Sequence, residues 1–420
     1  MNSTDKPVQT PKRSPFLNML AGYGSANALA QFMKMLFMLI MARYFGLTNY
    51  SSYVAAYSLA SFTSIFFNLG LDTWLLREGS FQENWRFSAH KVLILKAGIG
   101  LLWAALLLGL APTLRSDLFS FGLLALCVAD VWFESVLNTM LSVLNIRREI
   151  KAYSTFVLLL YGLKLASLFV IMALSNHSIM LIASLRAGIA GIIALVVYHS
   201  LRSEMRQVGR QETFQVLYAS RAYTASEIFS LIYMQIDVNL LTLIKGKLTA
   251  GVYSPALSVI NALFIIPSSV YTFSIPTLSR TYHEAPQKLP AAARKLLAGI
   301  TLMGIVLFAG VGLLGDDLVR LLLGAEYTTT GQLITLLSPV LLLKCLEFGL
   351  ASLIVALNKQ KERIIPQMVA AAMNVGLNLW LIPLYGVFGA ARVYVISEVI
   401  LFLGYGIIVF KSLRQPEYAN

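Results

Sequence analysis

The chain has 420 residues, of which 57% are hydrophobic and only 13% are charged, and its formal net charge is +13. Because one soluble core cannot absorb so much apolar surface, this composition excludes an ordinary soluble enzyme and a disordered or fibrous chain. It predicts an all-α polytopic membrane protein, since an apolar stretch of about 20 residues spans a bilayer as a helix.

Twelve apolar windows follow one another along the chain. An even number of crossings puts both termini on the same side of the membrane. The second and eighth windows are rich in Ser, Thr and Tyr, which favours a polar interior over contact with lipid. The windows cover residues 16–43, 51–70, 92–111, 118–142, 154–174, 178–199, 222–244, 251–279, 296–315, 333–357, 364–384 and 387–410.

Most of the 33 basic residues lie at the termini or in loops after even-numbered windows, for example Arg147, Arg148 and Lys151. Cytoplasmic loops of membrane proteins carry such an excess of Lys and Arg. We therefore predict that both termini are cytoplasmic and that the basic loops contact anionic membrane lipids. Nucleic-acid binding is not expected. The predicted units are a cytoplasmic tail (1–15), a six-helix lobe (16–200), a cytoplasmic linker (201–221), a second six-helix lobe (222–410) and a cytoplasmic tail (411–420).

The two predicted lobes share a short repeat at an offset of 200 residues. Six crossings followed by six, both starting on the same side, predict parallel repeats around a central cavity. Chance similarity among apolar helices is the alternative. The repeat pairs Gly46, Tyr53, Ala56 and Ser58 with Gly246, Tyr253, Ala256 and Ser258.

Charged residues inside the first lobe are candidates for a binding site, because a charge at the bilayer centre costs about 2.5–3.5 kcal/mol on insertion scales. In the first window Tyr23, Asn27, Gln31 and Lys34 form one polar stripe on one helix face. Lys34 lies too deep to reach the membrane surface. Lys96, near the cytoplasmic end of the third window, is expected to reach that surface with its long side chain.

Lys164 in the fifth window and Arg186 in the sixth are further deep bases. With Lys34 they predict a cationic wall suited to phosphate, since Arg forms bidentate hydrogen bonds and Lys is a point charge. The alternative is that Lys164 and Arg186 pair internally with Asp130 and Glu134, which share a face of the fourth window.

The second lobe carries more acids than bases within its windows. Glu227 and Asp237 lie on one stripe of the seventh window, and Asp237 has no nearby base in sequence. An isolated carboxylate at this depth suits H⁺ or Na⁺ as a coupling ion, or a gating salt bridge to bases of the first lobe.

Four more charged residues complete the coupling or gating candidates. Lys344 and Glu347, in the tenth window, can pair because they lie at i and i+3 on one helix face. Arg392 and Glu398, in the twelfth window, are six residues apart and share no face.

The sequence shows no catalytic or metal-ligand motif. Cys127 and Cys345 lack CxxC spacing, and the four histidines lie at window ends or in loops. We therefore predict a protein that is not an enzyme and needs no cofactor or metal.

Two blocks carry a family resemblance. The first covers residues 46–78, with Gly46, Tyr53, Ser58, Leu69-Gly70-Leu71-Asp72-Thr73 and Arg77-Glu78; the second covers residues 374–391, with Asn374, Asn378 and Pro383-Leu384-Tyr385-Gly386, and closes with Ser397-Glu398. In these blocks and in its topology the chain resembles the polysaccharide-exporter branch of the multidrug/oligosaccharidyl-lipid/polysaccharide (MOP) flippase superfamily, the Wzx-type O-antigen flippases.

The resemblance implies a two-lobed, MATE-like flippase. It would move an undecaprenyl-pyrophosphate-linked oligosaccharide, an O-antigen or related repeat unit, from the cytoplasmic to the periplasmic leaflet of the bacterial inner membrane. It implies ion-coupled alternating access with H⁺ or Na⁺, and pyrophosphate contact with Lys34, Lys164 and Arg186. A polysaccharide polymerase and a chain-length regulator of lipopolysaccharide assembly would be its partners.

Three other functions stay open. A multidrug or small-solute antiporter of the same fold typically has an acidic first lobe, whereas this lobe carries more bases than acids within its windows. A membrane glycosyltransferase or polysaccharide polymerase would need a nucleotide-sugar site or a long periplasmic loop, which the sequence does not show. A scaffold that transports nothing is distinguished only by a transport assay.

Overall fold

The computed structural model describes residues 15–81, 85–113, 117–202 and 213–413, and its regular elements there are helices. Most of the two predicted tails and residues 203–212 of the predicted linker lie outside these ranges. The first half forms α1 (Pro15–Thr63), α2 (Ile65–Asn68), α3 (Leu71–Phe81), α4 (Trp85–Leu110), α5 (Phe121–Ile146), α6 (Ile150–Ala173) and α7 (Ile179–Leu201). The second half forms α8 (Thr213–Lys245), α9 (Lys247–Leu263), α10 (Ile265–Glu284), α11 (Leu289–Leu323), α12 (Thr328–Leu337), α13 (Pro339–Ala356), α14 (Ile364–Tyr385) and α15 (Val387–Leu413).

These helices make the twelve predicted crossings. Within the described ranges, eleven helices are long and apolar enough to span a bilayer, and the first of them, Gly24–Asn68, contains two crossings. The chain doubles back at Gly46, so Lys34 before the turn and Asp72 after it line the same cavity. The helix that contains the seventh crossing, α8, begins at Thr213, and the part of it that is apolar enough to span the membrane is Glu227–Lys245, against the predicted 222–244.

Gly46 and Gly246 turn the chain in the same way in the two halves. Their backbone angles are φ 69°, ψ 167° and φ 93°, ψ 163°. Positive φ of this kind suits glycine, because a Cβ would clash with the backbone. The pair that anchors the sequence repeat therefore has one geometry in both halves.

Three crossings are interrupted. The second breaks at Leu69 and Gly70, both with positive φ, before α3 begins. The eighth breaks between α9 and α10 at Phe264, and the tenth at Pro339, which cannot donate a backbone hydrogen bond. Broken helices are tolerated in a membrane where their backbone is buried in protein or lines a cavity.

We name the two membrane faces by the chain. The tail face is the face at which α1 begins and α15 ends, and the turn face is the face of the glycine turns at Gly46 and Gly246. Basic residues concentrate at the tail face, for example Arg147, Arg148 and Lys151.

The helices form two six-crossing lobes, as predicted, that join at the turn face and separate toward the tail face. At the turn face one apolar cluster contains side chains of both lobes, such as Phe37 and Tyr327. Toward the tail face one apolar cluster lies almost wholly in the first lobe and another lies in the second. The space between the lobes therefore opens toward the tail face.

Candidate functional site

Two polar cavities lie between the lobes. One, of about 420 Å³, is lined by residues of α1, α2, α3, α5 and α8; the other, of about 460 Å³, is lined by α1, α3, α5 and α6, with Ile265 of α10. They share Asp72 and Asn138, so they are neighbouring chambers. We name the first the carboxylate chamber, because Asp72, Glu134 and Glu227 line it, and the second the lysine chamber, after Lys34.

The lysine chamber brings together Asn27, Gln31 and Lys34, as the stripe on α1 predicted. Lys34 Nζ lies 4.2 Å from the centroid of the Tyr161 ring, within cation–π range. Asn27 Oδ1 accepts a hydrogen bond of 3.0 Å from the Tyr153 hydroxyl. None of the ion pairs between described residues includes Lys34. This base therefore faces amides and phenols and keeps its capacity to bind an anion.

The predicted cationic wall of three bases does not form. Lys164 Nζ lies 2.5 Å from Asp130 Oδ1 and also pairs with Glu134, and Arg186 pairs with Asp130 at 3.0 Å. The Arg186 guanidinium packs 4.6 Å from the centroid of Phe37. Neither base lines a chamber. The network has two bases and two acids, and this balance offsets the cost of burying each charge. The alternative from the sequence, internal pairing, is the arrangement found.

Asp72, on the wall of both chambers, pairs with the buried Lys96 behind it. Lys96 Nζ donates to Asp72 Oδ2 at 2.6 Å and to the Ser135 carbonyl oxygen at 3.1 Å, and the Thr139 hydroxyl donates to Asp72 Oδ1 at 2.6 Å. The prediction that Lys96 reaches the membrane surface is wrong, because the side chain is fully buried. The break in the second crossing places Asp72 at the start of α3. Lys96 pairs with this carboxylate instead of reaching the membrane surface.

Glu227 connects the two lobes. Its carboxylate accepts hydrogen bonds from the Gly70 backbone nitrogen at 3.1 Å and from the Thr73 hydroxyl at 2.8 Å. These donors lie at the beginning of α3, where backbone N–H groups lack helical partners and a negative charge is favourable. Beside them the Thr224 hydroxyl donates to the Leu69 carbonyl oxygen at 2.6 Å. A residue of the second lobe thus caps a broken helix of the first.

The second and seventh crossings meet at several points around the carboxylate chamber, and we name this contact the seam. It includes hydrogen bonds from Ser58 to Asn239 at 3.4 Å and from Ser61 to Gln235 at 3.2 Å, and it ends at the Glu227 cap. On the other flank, α10 contributes only Ile265 to the wall of the lysine chamber.

The turn face is closed by direct contacts between the lobes. Arg43 donates to the carbonyl oxygens of Leu321 and Leu322 at the end of α11, both at 2.8 Å. The Tyr327 hydroxyl donates to the Ala42 carbonyl oxygen at 3.0 Å. A positive side chain at a helix C-terminus is favourable, so these bonds help to hold the chambers shut on this side.

Gly251 shows how tight that closure is. A Cβ built there would lie 1.9 Å from Ser51 Oγ and 3.0 Å from Ser51 Cα. The second and eighth crossings therefore touch where only glycine fits.

Asp237 lies at the end of a buried hydrogen-bond chain. Asn378 Nδ2 donates to Asp237 Oδ1 at 2.7 Å, and the Tyr253 hydroxyl donates to Oδ2 at 3.3 Å. The chain continues from Asn378 to Asn374 at 2.9 Å and from Asn374 to Ser397 at 3.1 Å. Among the described residues no base pairs with Asp237, so the gating salt bridge to the first lobe is absent from this conformation.

The remaining predicted charges divide into a buried cluster and an outlier. Lys344 pairs with Glu347 at 3.0 Å, as predicted, and also with Glu398 of α15 at 2.6 Å. Arg392 is exposed, with its guanidinium 5.0 Å from the centroid of Tyr385 near the turn face. It contacts neither the cluster nor the chambers, so the structure does not support a coupling or gating role for it.

Sequence reasoning gave no role to several chamber residues. Asp72 and Asn138 form the wall between the chambers, and Tyr161 packs on Lys34. Asp72 lies just past the predicted end of the second window, where window limits alone do not identify it as an intramembrane charge. Its place in the Leu69-Gly70-Leu71-Asp72-Thr73 run of the first block was the available signal.

A family model described as "Polysaccharide biosynthesis protein" matches residues 40–331. The match runs from the first crossing to the tenth and includes the seam and the turn-face contacts. The chain belongs to this family. The match, together with the fold, confirms the resemblance to the MOP superfamily that the sequence blocks indicated.

A relative in sequence is the "Probable flippase AglR" of Haloferax volcanii, 28% identical over 172 residues. The match covers 39% of this chain and 35% of AglR, so it spans about a third of that relative.

Two solved structures share the fold. The lipid II flippase MurJ, in an inward closed conformation, has a TM-score of 0.75 and 14% identity over 92% of this chain and 87% of MurJ. An inward-facing multidrug resistance MATE transporter of the MOP superfamily has a TM-score of 0.70 and 13% identity over 92% of this chain and 96% of its own. The predicted MATE-like fold is confirmed.

Proposed function

We propose that the protein is a flippase that moves an undecaprenyl-pyrophosphate-linked oligosaccharide, an O-antigen or related repeat unit, between the leaflets of the bacterial inner membrane. The observation that carries this proposal is Lys34, a base without a carboxylate partner among the described residues, on the wall of a polar chamber between two lobes. The family, and the name of the relative AglR, support a flippase in polysaccharide biosynthesis.

The lysine chamber suits a phosphate joined to sugar. A lysine ammonium binds phosphate by a charge-assisted hydrogen bond, and Asn27, Gln31 and Tyr153 offer groups that bond sugar hydroxyls. Asp72 and Glu134 are neutralised by Lys96 and by the buried network. The carboxylate chamber next to it is then a place for the sugars rather than the phosphates.

The tail face is proposed to be cytoplasmic, because basic residues concentrate there. The space between the lobes then opens to the side on which the cargo is assembled, and transport runs to the periplasmic leaflet. A polysaccharide polymerase and a chain-length regulator would receive the cargo on that side.

Asp237 is proposed to bind the coupling ion, H⁺ or Na⁺. Its carboxylate has no base beside it in the described structure, and the neighbouring Asn378 Oδ1 has no hydrogen-bond partner there. A proton or a small cation between these oxygens would satisfy both groups.

A reconstituted flipping assay tests the proposal. The probe is a fluorescent undecaprenyl-pyrophosphate-linked disaccharide in vesicles that contain the purified protein. A hydrogen bond to a charged group contributes about 1.5–3 kcal/mol, so at limiting probe we expect Lys34→Met to lower the rate roughly 10- to 100-fold. Lys34→Arg keeps the charge and should retain most of the rate.

Lys245→Met is the matched control, since Lys245 is an exposed lysine at the turn face. A wild-type rate for Lys34→Met would contradict the phosphate site. No flipping by the wild-type protein would contradict the cargo.

One observation favours a second candidate, a multidrug antiporter. Glu227 lines the carboxylate chamber without an ion pair among the described residues, and such a carboxylate binds organic cations. Efflux of ethidium from the same vesicles, lost in Glu227→Gln, would support this function over the flippase.

A further inference from the structure

A closed cluster of three ionisable side chains lies in the second lobe, outside both chambers. Lys344 and Glu347 come from α13 and Glu398 from α15, and each is at most 5% exposed. Lys344 Nζ lies 3.0 Å from Glu347 Oε2 and 2.6 Å from Glu398 Oε2. The two carboxyl groups are also within hydrogen-bonding reach of each other. We name these three residues the triad.

The triad has an excess of negative charge when all three groups are ionised. One ammonium faces two carboxylates, and a buried charge without compensation is strongly unfavourable inside a membrane protein. Glu347 Oε1 and Glu398 Oε1 lack a hydrogen-bond donor in the described structure, and Lys344 is the base that pairs with both carboxyl groups there. Two ionised carboxylates only accept hydrogen bonds, so their mutual contact is a bond only when one of them carries a proton.

The neighbours of the triad do not supply the missing charge. Tyr233 of α8 and Phe264, at the break in the eighth crossing, place their ring centroids 5.4 and 5.7 Å from Lys344 Nζ. Tyr394 of α15 lies near, and Asp237 of α8 adds a further negative charge.

A proton fits this site better than a metal cation. The Lys344 ammonium already lies between the two carboxyl groups, where Na⁺ would have to bind, and it would repel a second cation. A proton needs no added volume, because it resides on a carboxyl oxygen. With one proton bound, the triad is neutral.

We propose that Glu347 and Glu398 share one exchangeable proton, and that the triad is a proton-binding site separate from Asp237. In this conformation neither chamber is lined by the triad, so the proton is sealed from water. Tyr233 stands beside Lys344 and next in sequence to Met234, which lines the carboxylate chamber. A shift of α8 against α13 would therefore expose the proton for exchange. Only its use in transport rests on the proposed function.

Infrared spectroscopy of the purified protein tests the proton itself. A protonated carboxyl has a C=O stretching band that an ionised carboxylate lacks. We expect Glu347→Gln and Glu398→Gln each to remove one such band from the wild-type spectrum. In either variant Lys344 keeps one carboxylate, so the cluster stays neutral and the protein should fold and melt like the wild type.

Two comparisons make the spectra decisive. Glu284→Gln makes the same chemical change in an exposed pair with Arg280 and should leave the band in place. The double variant Glu347→Gln/Glu398→Gln leaves Lys344 alone and should lower the melting temperature. A band that survives both single substitutions would overturn the proposal.

The flipping assay tests the use of the proton. A gradient of one pH unit corresponds to about a tenfold factor per coupled proton. We expect the gradient to speed flipping by wild-type protein and by Glu284→Gln, and to have a clearly smaller effect on Glu398→Gln, which retains only Asp237 as a proposed ion site. An unchanged response in Glu398→Gln would overturn the coupling role. If the wild-type protein flips nothing, the proposed function fails, while the infrared band still decides whether the triad holds a proton.

Discussion

The buried network of the first lobe makes a quantitative prediction about Asp130. This carboxylate is 2% exposed and pairs with Lys164 at 2.5 Å and Arg186 at 3.0 Å. Asp130→Asn keeps the size of the side chain but leaves two buried bases facing one acid, Glu134. Removing one partner of a buried ion pair costs about 3–5 kcal/mol. We expect the free energy of unfolding to fall by that amount.

The assay is a reversible SDS titration of the purified protein, followed by circular dichroism. Adding Lys164→Met to Asp130→Asn restores the charge balance, so the double variant should be more stable than the sum of the two single changes implies. Contacting residues show coupling of about 0.5–3 kcal/mol in such cycles. Glu284→Gln, in an exposed pair, should cost less than about 1 kcal/mol.

The reasoning is refuted if Asp130→Asn unfolds within about 1 kcal/mol of the wild type, or if the two changes are simply additive. Either result would mean that Lys164 and Arg186 do not depend on Asp130.

Gly251→Ala should push the lobes apart at the turn face, because the added Cβ meets Ser51. An impermeant thiol reagent should then react faster with cysteines introduced at that face. Adding Ser51→Gly to Gly251→Ala should restore the closure. Glu227→Ala should remove the cap of α3, at a cost of about 0.5–2 kcal/mol, and speed amide hydrogen exchange in its first turn. In whole cells, Lys245→Cys should react with an impermeant reagent and Lys151→Cys should not, since the tail face is predicted to be cytoplasmic.

Each of these has an internal control. Gly376→Ala adds a Cβ that meets nothing within 4 Å, so it should leave thiol access unchanged. Glu227→Gln retains an acceptor oxygen and should protect α3 better than Glu227→Ala. The native Cys127 and Cys345 are buried and should contribute little labelling. The closure prediction is contradicted if Gly251→Ala and wild type label equally. The cap prediction is contradicted if amide exchange in α3 is unchanged in Glu227→Ala, and the orientation is contradicted if only Lys151→Cys is labelled.

The crossings and the repeat were predictable because they depend on local chain properties. Apolar runs fix where a helix can span the membrane, and a glycine pair such as Gly46 and Gly246 reports a turn that other residues adopt poorly. Helical spacing also placed Asn27, Gln31 and Lys34 on one face, which is the face that lines the lysine chamber.

Partners across helices were not predictable in the same way. Helical spacing shows which residues share a face, but it does not show how two helices are rotated against each other. Lys96 therefore could not be assigned to Asp72, and for Lys164 helical spacing could not decide between the cargo and internal pairing with Asp130. The contact between Lys344 and Glu398 was hidden for the same reason, since it joins α13 to α15.

The break at Leu69 and Gly70 was missed for a different reason. No proline marks it, and it is stabilised from outside by the Glu227 carboxylate and the Thr224 hydroxyl of the other lobe. A break that depends on tertiary contacts leaves little trace in local composition.

The seam joins the lobes through the second and seventh crossings, whereas on the other flank α10 contributes only Ile265 to the wall of the lysine chamber, and this sets how the proposed lipid cargo can travel. With the lobes joined along that hinge line, the other flank is free to part toward the hydrocarbon interior. A phosphate-bearing head can then enter from the side while its long alkyl portion stays dissolved in the bilayer. Every methylene that never meets water avoids about 0.8 kcal/mol of hydration penalty. The protein has only to solvate the head, because the membrane itself carries the rest.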